Sequence, residues 1–522
     1  MLSVLIWVPL VGAILISLLP DKPATSLARP VALTVALGLL VWTTVLGVQF
    51  DPGQPGMQFT EYLVWIETIG LNYHLGVDGL SLPLLCLNAL LTVIAIWSSD
   101  RTILRPRFYY ALILLLNVGV SGAFLAQDLL LFFLFYELEL IPLYFLIIIW
   151  GGPQRGYAAT KFLIYTAISG ALILASFLGV VWLSGVSSFD YEPLRSQTLP
   201  LGAQTILLIG LLLGFGIKIP FFPLHTWLPD AHVEASTPVS VLLAGVLLKV
   251  GTYGLLRFGV GLFLDAWVYL APWLAGWAAV SALYGASCAI AQQDMKKVVA
   301  YSSIAHMAFI LLGASATTRL SLLATVCQMV SHGLISALLF LLVGVVAKKT
   351  GSRDVNYLRG LLNPEKGLPL IGSLMILGVM AGAGIPGMVG FVAEFLIFRG
   401  SFPIFPVQTL LCMVGTGLTA VYFLLMINRV FFGRLPVELA NLPRVQWGDR
   451  LPSVALALLI IALGIQPNWL IRWSEPQIAT LVTDYGQGKA LRESLPIAAV
   501  LNAPNVPVAV PPSVLPVAPI EN

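Results

Sequence analysis

The chain alternates long apolar runs with short polar breaks, and the runs reach about twenty residues, the length at which a helix crosses a hydrocarbon core. Fourteen such segments lie near residues 2–19, 28–48, 77–98, 108–126, 129–150, 158–184, 202–222, 237–259, 267–291, 298–316, 319–347, 369–398, 406–432 and 452–473. Stretches such as LLLFFLFYELELIPLYFLIII and VLLAGVLLKVGTYGLL read only as lipid-spanning or bundle-core helices. The pattern predicts an all-α polytopic membrane protein of about 14 transmembrane helices. Composition agrees: 58% of the 522 residues are hydrophobic and 10% charged, where a soluble domain carries about 25% charged residues. The first segment has no basic n-region and no small-residue cleavage site, so it reads as a retained helix and not as a signal peptide.

Charge then orients the bundle. Eighteen Lys and Arg fall in loops after odd-numbered segments, from Lys22 and Arg29 through Lys296, Lys297 and Arg353 to Arg444 and Arg450, against seven on the other side, Arg257 among them. The positive-inside rule puts the odd loops in the cytoplasm and both termini outside. The net charge of +3 is thus a topology signal, and no nucleic-acid patch is present in it. The outer side holds an acidic exposed loop at 50–76, with Asp51, Glu61 and Glu67, and a second loop at 185–201. A tail from about 497, rich in Pro, Val and Ala, reads as extended and suited to lying along a neighbouring protein.

Ionisable residues inside the apolar runs change the picture most. Lys218, Lys249, Glu137 and Glu394 each sit in such a run, where a central charge costs at least ~2.5–3.5 kcal/mol. Each has an ordinary reading too. Lys218 lies near a segment end, from which its stem can snorkel; Glu137 can cap a local break; Glu394 can satisfy a broken backbone. Lys249 is mid-segment, flanked by Gly245 and Gly251, and is the hardest to explain by packing. Glu139, two residues beyond Glu137, projects to a largely different face and meets either a neighbouring subunit or the helix interior. His306 and His332 lie in adjacent segments, each with a polar residue one turn earlier, Ser302 and Gln328, and histidine titrates nearest neutral pH. Four charges and two histidines together suggest a buried polar path whose cargo is a proton or small cation. His225, His232 and Glu234 follow the seventh segment, but their spacing matches no common zinc pattern.

Redox chemistry within the chain is not expected. Cys86, Cys288, Cys327 and Cys412 are scattered singly, so iron–sulfur and zinc sites lack their ligand spacing. The histidines lack the paired spacing of a membrane haem, and no glycine-rich dinucleotide fingerprint follows a strand. The chain is expected to carry no cofactor of its own.

Two segments break the helix rule. In the seventh, Pro220 and Pro223 closely follow Lys218; in the twelfth, Gly382, Gly384, Pro386, Gly387 and Gly390 precede Glu394. Unwound backbone at membrane depth survives only when buried in protein or lining a wet cavity. The breaks lie about equally far into two successive five-helix blocks, which points to inverted repeats with the transport site at the paired breaks. The expected organisation is three helices in 1–107, a first repeat (helices 4–8) in 108–259, a second (helices 9–13) in 260–432, a helix 14 region in 433–496 and the tail in 497–522.

The blocks FYELELIPLYFLIIIWGG, GIKIPFFPLHTWLPDAHVEA, LLAGVLLKVGTYGLLRFG, DMKKVVAYSSIAHM, QMVSHGL and GIPGMVGFVAEF span roughly residues 75–430. They resemble the signature blocks of the antiporter-like subunits of respiratory complex I, the NdhD/NuoM branch above all. That resemblance implies fourteen helices, two inverted five-helix repeats, discontinuous helices 7 and 12, and a proton relay. In that relay Glu137 takes the place of the fifth-helix glutamate and Lys218 that of its seventh-helix partner. Lys249 falls on the lysine linking the two halves, His306 and His332 on the connecting histidines, and Glu394 on the exit residue. Glutamate at the exit, where sister subunits usually have lysine, favours this branch over them and over the related sodium/proton antiporters.

The double glutamate of ELELIP resembles cyanobacterial and chloroplast members, in which the complex takes electrons from ferredoxin and reduces plastoquinone in the thylakoid membrane. VEASTPVSVLLAG departs from their usual GEATAP-like stretch. With the shortened amino end, it is similar to the NdhD paralogues of the carbon-dioxide-uptake form. The implied partners are NdhF-type and NdhB-type membrane-arm neighbours and lipids, with plastoquinone used by the complex but not bound here. The implied location is the thylakoid membrane, with both termini on the lumenal or periplasmic side. Two other functions stay open from the residues alone: a sodium/proton antiporter subunit of a multi-chain exchanger, and a non-pumping scaffold for a carbon-dioxide-hydrating partner.

Overall fold

A computed structural model describes residues 1–19, 27–54, 56–197 and 199–493. The tail expected at 497–522, and Lys22 in the first loop, lie outside the described residues. The chain opens with α1 (Val4–Leu18) and α2 (Ala28–Gln49), then a hairpin of β1 (Gln58–Ile66) and β2 (Leu71–Val77). There follow α3 (Leu82–Ser98), α4 (Pro106–Leu125), α5 (Leu129–Leu138), α6 (Leu140–Trp150), α7 (Arg155–Ser184) and the short α8 (Tyr191–Arg195). Next come α9 (Leu201–Lys218), α10 (Trp227–Glu234), α11 (Thr237–Leu242) and α12 (Leu248–Gly254), with π turns at Leu243–Leu247 and Leu255–Val260. The remainder is α13 (Leu264–Ile290), α14 (Met295–Ala316), α15 (Arg319–Thr350), α16 (Pro369–Gly382), α17 (Val389–Ser401), α18 (Pro406–Phe431), α19 (Trp447–Ile465) and α20 (Asn468–Glu493).

Among the described residues, eleven helical stretches are long and apolar enough to cross a membrane, and three further apolar helices, α1, α3 and α16, are shorter. They fall on the fourteen expected segments. The molecule is an all-α polytopic membrane protein. Burial sorts these spans: the eighth (237–260) is enclosed throughout, and α4, α14 and α15 nearly so, whereas α2, α7, α18 and α19 leave most of their residues unburied. The enclosed helices carry Lys249, His306 and His332, so these polar residues sit where protein and not lipid surrounds them.

Four spans depart from regular helix. The seventh ends at Lys218 and the twelfth is unwound between Gly382 and Val389, where proline and glycine predict it. The freed carbonyls find partners, as burial in protein requires: Trp227 Nε1 donates to Ile217 O at 2.8 Å, and Trp277 Nε1 donates to Phe222 O. Gly384 and Gly387 take φ of 70° and 92° in the twelfth, a backbone that L side chains rarely adopt. The other two departures are not expected from the sequence. The fifth span breaks at Glu139, three residues before Pro142, whose ring has no N–H to offer the Leu138 carbonyl. The eighth contains the two π turns, a geometry that recurs at functional sites.

Two expectations about the outer regions need correction. Residues 50–76 are not simply an exposed loop, because 58–77 forms an antiparallel hairpin that pairs Tyr62 with His74 and Leu63 with Tyr73. Its run FTEYLVWI is rich in aromatic and β-branched residues, which suit a strand. At its turn Gly70 has φ 69°, and a Cβ there would lie 2.1 Å from Ser187 O. The fourteenth segment, expected as one run to 473, ends at Ile465, and Pro467 separates it from α20.

Candidate functional site

The fifth and seventh spans hold the first ion pair, and it is not the expected one. Lys218, the last residue of α9, pairs with Glu139, and both are buried. Its ammonium also lies 4.5 Å from the centre of the Tyr136 ring, a favourable cation–π contact, and its position favours the negative end of the α9 dipole. Glu137, expected as the partner, points elsewhere: a Cβ on Gly170 of α7 would fall 1.9 Å from Glu137 Oε1, and that oxygen is buried with no hydrogen-bond partner. The reason is rotational. Two residues on a helix differ by about 200°, so only one of the glutamates can face α9. The break at Glu139 turns that residue inward, packed over Gly119 of α4.

The eighth span carries the next pair. Gly251 lets it approach Lys218 closely, since a Cβ there would lie 3.2 Å from both Cβ and Cγ of that lysine. Two residues earlier, Lys249 Nζ donates to Ala244 O at 2.6 Å and meets His332 Nδ1 at 2.7 Å. Ala244 belongs to the first π turn, where the widened helix presents a carbonyl to the lysine. Among the described residues Lys249 has no carboxylate partner within ion-pair distance; its neighbour is a histidine on α15.

His332 stands 5.8 Å, centre to centre, from the ring of His306 on α14. His306 Nδ1 faces Ser302 O at 2.7 Å; its Nε2 faces Gly382 O at 3.0 Å and Glu394 Oε1 at 3.3 Å. The Gly382 carbonyl is freed by the break in the twelfth span. Both ring nitrogens therefore face oxygens that accept, and which of them donates depends on the tautomer. Glu394 Oε2 accepts from Thr416 Oγ1 at 3.2 Å. The two histidines and Glu394 line a cavity of about 10 Å³ with Ser302, Gln328 and Ser331, on the scale of a single water. Gln328 Oε1 and Ser331 Oγ are buried there without a protein partner.

The structure places the remaining candidates apart from one another. His225 sits among aromatic rings, 4.9 Å from Tyr284 and 5.8 Å from Phe222. His232 stacks flat on Phe340 at 4.5 Å, while Glu234 accepts from Gln154 N. These three do not converge, and no group of three His, Cys, Asp or Glu able to hold a metal occurs among the described residues. Two basic residues counted with the loops prove to be buried. Arg257 joins Asp78 at 2.5 Å and lies 5.4 Å from the Tyr253 ring. Lys296 donates to Ala235 O at 2.7 Å and lies 3.4 Å from Ser240 Oγ. Lys296 sits just past the Asp294 N-cap, so its place inside a helix was open to detection.

The fold and its row of enclosed polar pairs define a multi-span membrane protein with ionisable groups buried along its interior. Residues 126–419 match the family described as NADH:quinone oxidoreductase/Mrp antiporter, TM. The chain belongs to that family. It is 42% identical over 480 residues to NAD(P)H-quinone oxidoreductase chain 4 1 of a Nostoc species, covering 90% of this chain and 88% of that one. It is 42% identical over 521 residues to the protein of the same name from a Synechococcus species, covering 97% and 96%. Among solved structures it superposes on a chain of respiratory complex I from Thermus thermophilus with TM-score 0.83 at 26% identity, covering 94% of this chain and 99% of that one. It also shares its fold with a chain of the Mrp complex from a Dietzia species, with TM-score 0.82 at 21% identity, covering 96% and 99%.

Proposed function

We propose that this chain is a proton-translocating membrane-arm subunit of a complex I-like, quinone-reducing assembly, and that protons cross it along the row Glu139–Lys218, Lys249–His332 and His306–Glu394. The observation that carries this reading is the row itself: three polar pairs, enclosed by protein, joined by the close approach of Gly251 to Lys218 and of His306 to His332. While Glu139 is ionised beside it, Lys218 keeps its proton. Charge movement that draws Glu139 away leaves Lys218 without a counterion, and its proton passes towards Lys249. The Lys249–His332 contact shares one proton, which moves to His306 and leaves past Glu394. Glu137, half-buried at the α7 surface, senses the neighbouring charge without being the ion-pair partner.

The chain's similarity to cyanobacterial quinone oxidoreductase chains supports plastoquinone as the quinone and the thylakoid as the membrane. It supports NdhF-type and NdhB-type chains as neighbours too. The breaks in the seventh and twelfth spans support the pair of inverted repeats, helices 4–8 and 9–13. The VEASTPVSVLLAG stretch supports the carbon-dioxide-uptake form. The test uses the whole complex in closed vesicles, counting protons moved per electron passed to quinone. Lys249→Ala is expected to assemble, transfer electrons poorly and pump less; a normal ratio sinks the reading. A sodium-driven pH change that needs no electron donor selects an exchanger instead.

A further inference from the structure

Lys296 and His232 have no part in the row above, yet both are buried, and they follow the ninth and seventh spans, odd-numbered spans whose loops carry the basic excess. Lys296 occupies the first turn of α14, and its ammonium reaches across to the turn between α10 and α11, donating to Ala235 O at 2.7 Å with Ser240 Oγ at 3.4 Å. Ser240 Oγ in turn donates to the backbone carbonyl of His232 at 3.2 Å. The His232 ring is fully enclosed, and both of its nitrogens lack a hydrogen-bond partner. Leaving a buried polar atom unpaired forfeits its hydration with nothing in return. A histidine used only for packing on Phe340 would be better replaced by an apolar ring. Outside Lys296, the half-exposed pair Arg353 Nε–Asp294 Oδ2 stands at 3.2 Å, with Arg353 Nη1 donating to Val233 O at 2.8 Å. Inward, the helix that supplies Phe340 carries Ser336 one turn back and His332 a further turn on, and Ser336 lines the His306–His332 cavity.

Polar contacts therefore run from the half-exposed Asp294–Arg353 rim to buried Lys296 and, through Ser240, to the backbone of His232, whose unpartnered ring stacks on Phe340 of the helix that also carries His332. We infer that Lys296 and His232 form the intake branch of the proton path, Lys296 passing a proton from the aqueous rim to His232 and His232 passing it to the Lys249–His332 pair. Each transfer moves one proton and no electrons: Lys296 gives up an N–H to a free nitrogen of His232 and regains one from the water at the rim. This inference rests on the proton-pumping reading above. The competing role for Lys296 is that of a fixed cation holding the Ala235 carbonyl at the end of α10, a place where positive charge is favoured.

Arginine separates the two roles. Lys296→Arg keeps the charge and the donors, but arginine does not release its proton at accessible pH. In the intact complex in closed vesicles, Lys296→Arg and His232→Gln are expected to assemble and to lose most proton pumping per electron, as far as Lys249→Ala does. Lys297→Met, on the same turn but outside the row, is expected to pump normally. Normal pumping by Lys296→Arg overturns the branch and leaves Lys296 a fixed cation, and normal pumping by His232→Gln overturns it as well, whether or not Lys296→Arg assembles. Normal pumping by Lys249→Ala brings down the proton-path reading itself and the branch with it, so the two failures are told apart.

Discussion

At the scale of single residues, the decisive fact is which carboxylate faces Lys218. Removing one member of a buried pair leaves an uncompensated charge and costs about 3–5 kcal/mol, whereas replacing both by apolar residues is often neutral. Glu139→Gln is therefore expected to lower the thermal stability of the assembled complex by that order, and Glu137→Gln much less, because Glu137 has no hydrogen-bonded partner to strand. The double variant Glu139→Leu/Lys218→Met is expected to recover stability but not pumping. Equal losses in the two single variants would return the pairing to Glu137. The residues of this site were legible because charges in apolar runs are costly, yet the pairing was not. It depends on a two-residue offset around a helix whose break falls at Glu139, and no pattern of types in ELELIP announces that. Lys249 was legible as unusual, and its histidine partner follows from α15 packing beside the first π turn. Lys249→Arg is expected to assemble and pump poorly, since arginine keeps its proton; normal pumping there leaves Lys249 only an electrostatic role.

At the scale of elements, glycines set how closely the broken spans approach the charged groups. Gly390 begins the lower half of the twelfth span, and a Cβ there would lie 2.0 Å from Ala381 O, a backbone atom that cannot swing aside. Gly390→Ala is expected to cost roughly 1–3 kcal/mol or more through overpacking, read as a lower unfolding temperature of the complex. Gly170→Ala meets only the end of the Glu137 side chain, so it is expected to assemble well while displacing that carboxylate. The hairpin is fastened by a second polar junction outside the spans. His74 Nδ1 meets Asp190 Oδ1 at 2.9 Å, Asn72 Nδ2 donates to Asp190 Oδ2 at 2.8 Å, and Asn72 N donates to Asp128 Oδ2 at 3.1 Å. The two aspartates titrate in opposite senses. Burial lifts Asp128 to about 6, against the pull of the Leu131 and Asn72 N–H groups. Burial would also raise Asp190, but hydrogen bonds from His74, Ser188 and Asn72 bring it below its ordinary value. A raised carboxyl binds its proton more readily in the folded state, so stability at this junction grows as pH falls from about 7 to about 5. The Asp190 contribution is present above the unfolded value near 3.9 and disappears as pH falls through the lower folded value. Hydrogen exchange of β2 is expected to slow between pH 7 and pH 5, after correction for intrinsic rates, and Asp128→Asn is expected to flatten that dependence.

At the scale of the whole molecule, the spans were legible from length and apolarity, and the breaks in the seventh and twelfth from proline and glycine. The hairpin was hidden by its polar surroundings, and the burial of Lys296 and Arg257, though not their helical placement, by their nearness to segment ends. Those two are buried and belong to opposite sides of the charge count, so removing both leaves the excess of basic residues on the odd loops unchanged. If Lys296 serves the intake branch proposed above, that excess sets the direction of the path, because Lys296 follows an odd-numbered span. The positive-inside rule predicts cytoplasmic odd loops, which would put the exposed hairpin residue Tyr62 on the outer side and the exposed loop residue Lys366 on the cytoplasmic side. With the half-buried Cys86 and Cys288 replaced by Ser to remove background, Tyr62→Cys is expected to react with a membrane-impermeant thiol reagent added outside. Lys366→Cys is expected to react only after the membrane is opened. The reverse pattern would invert the molecule in its membrane, and Lys296 would then stand at the exit of the path and Glu394 at its entrance.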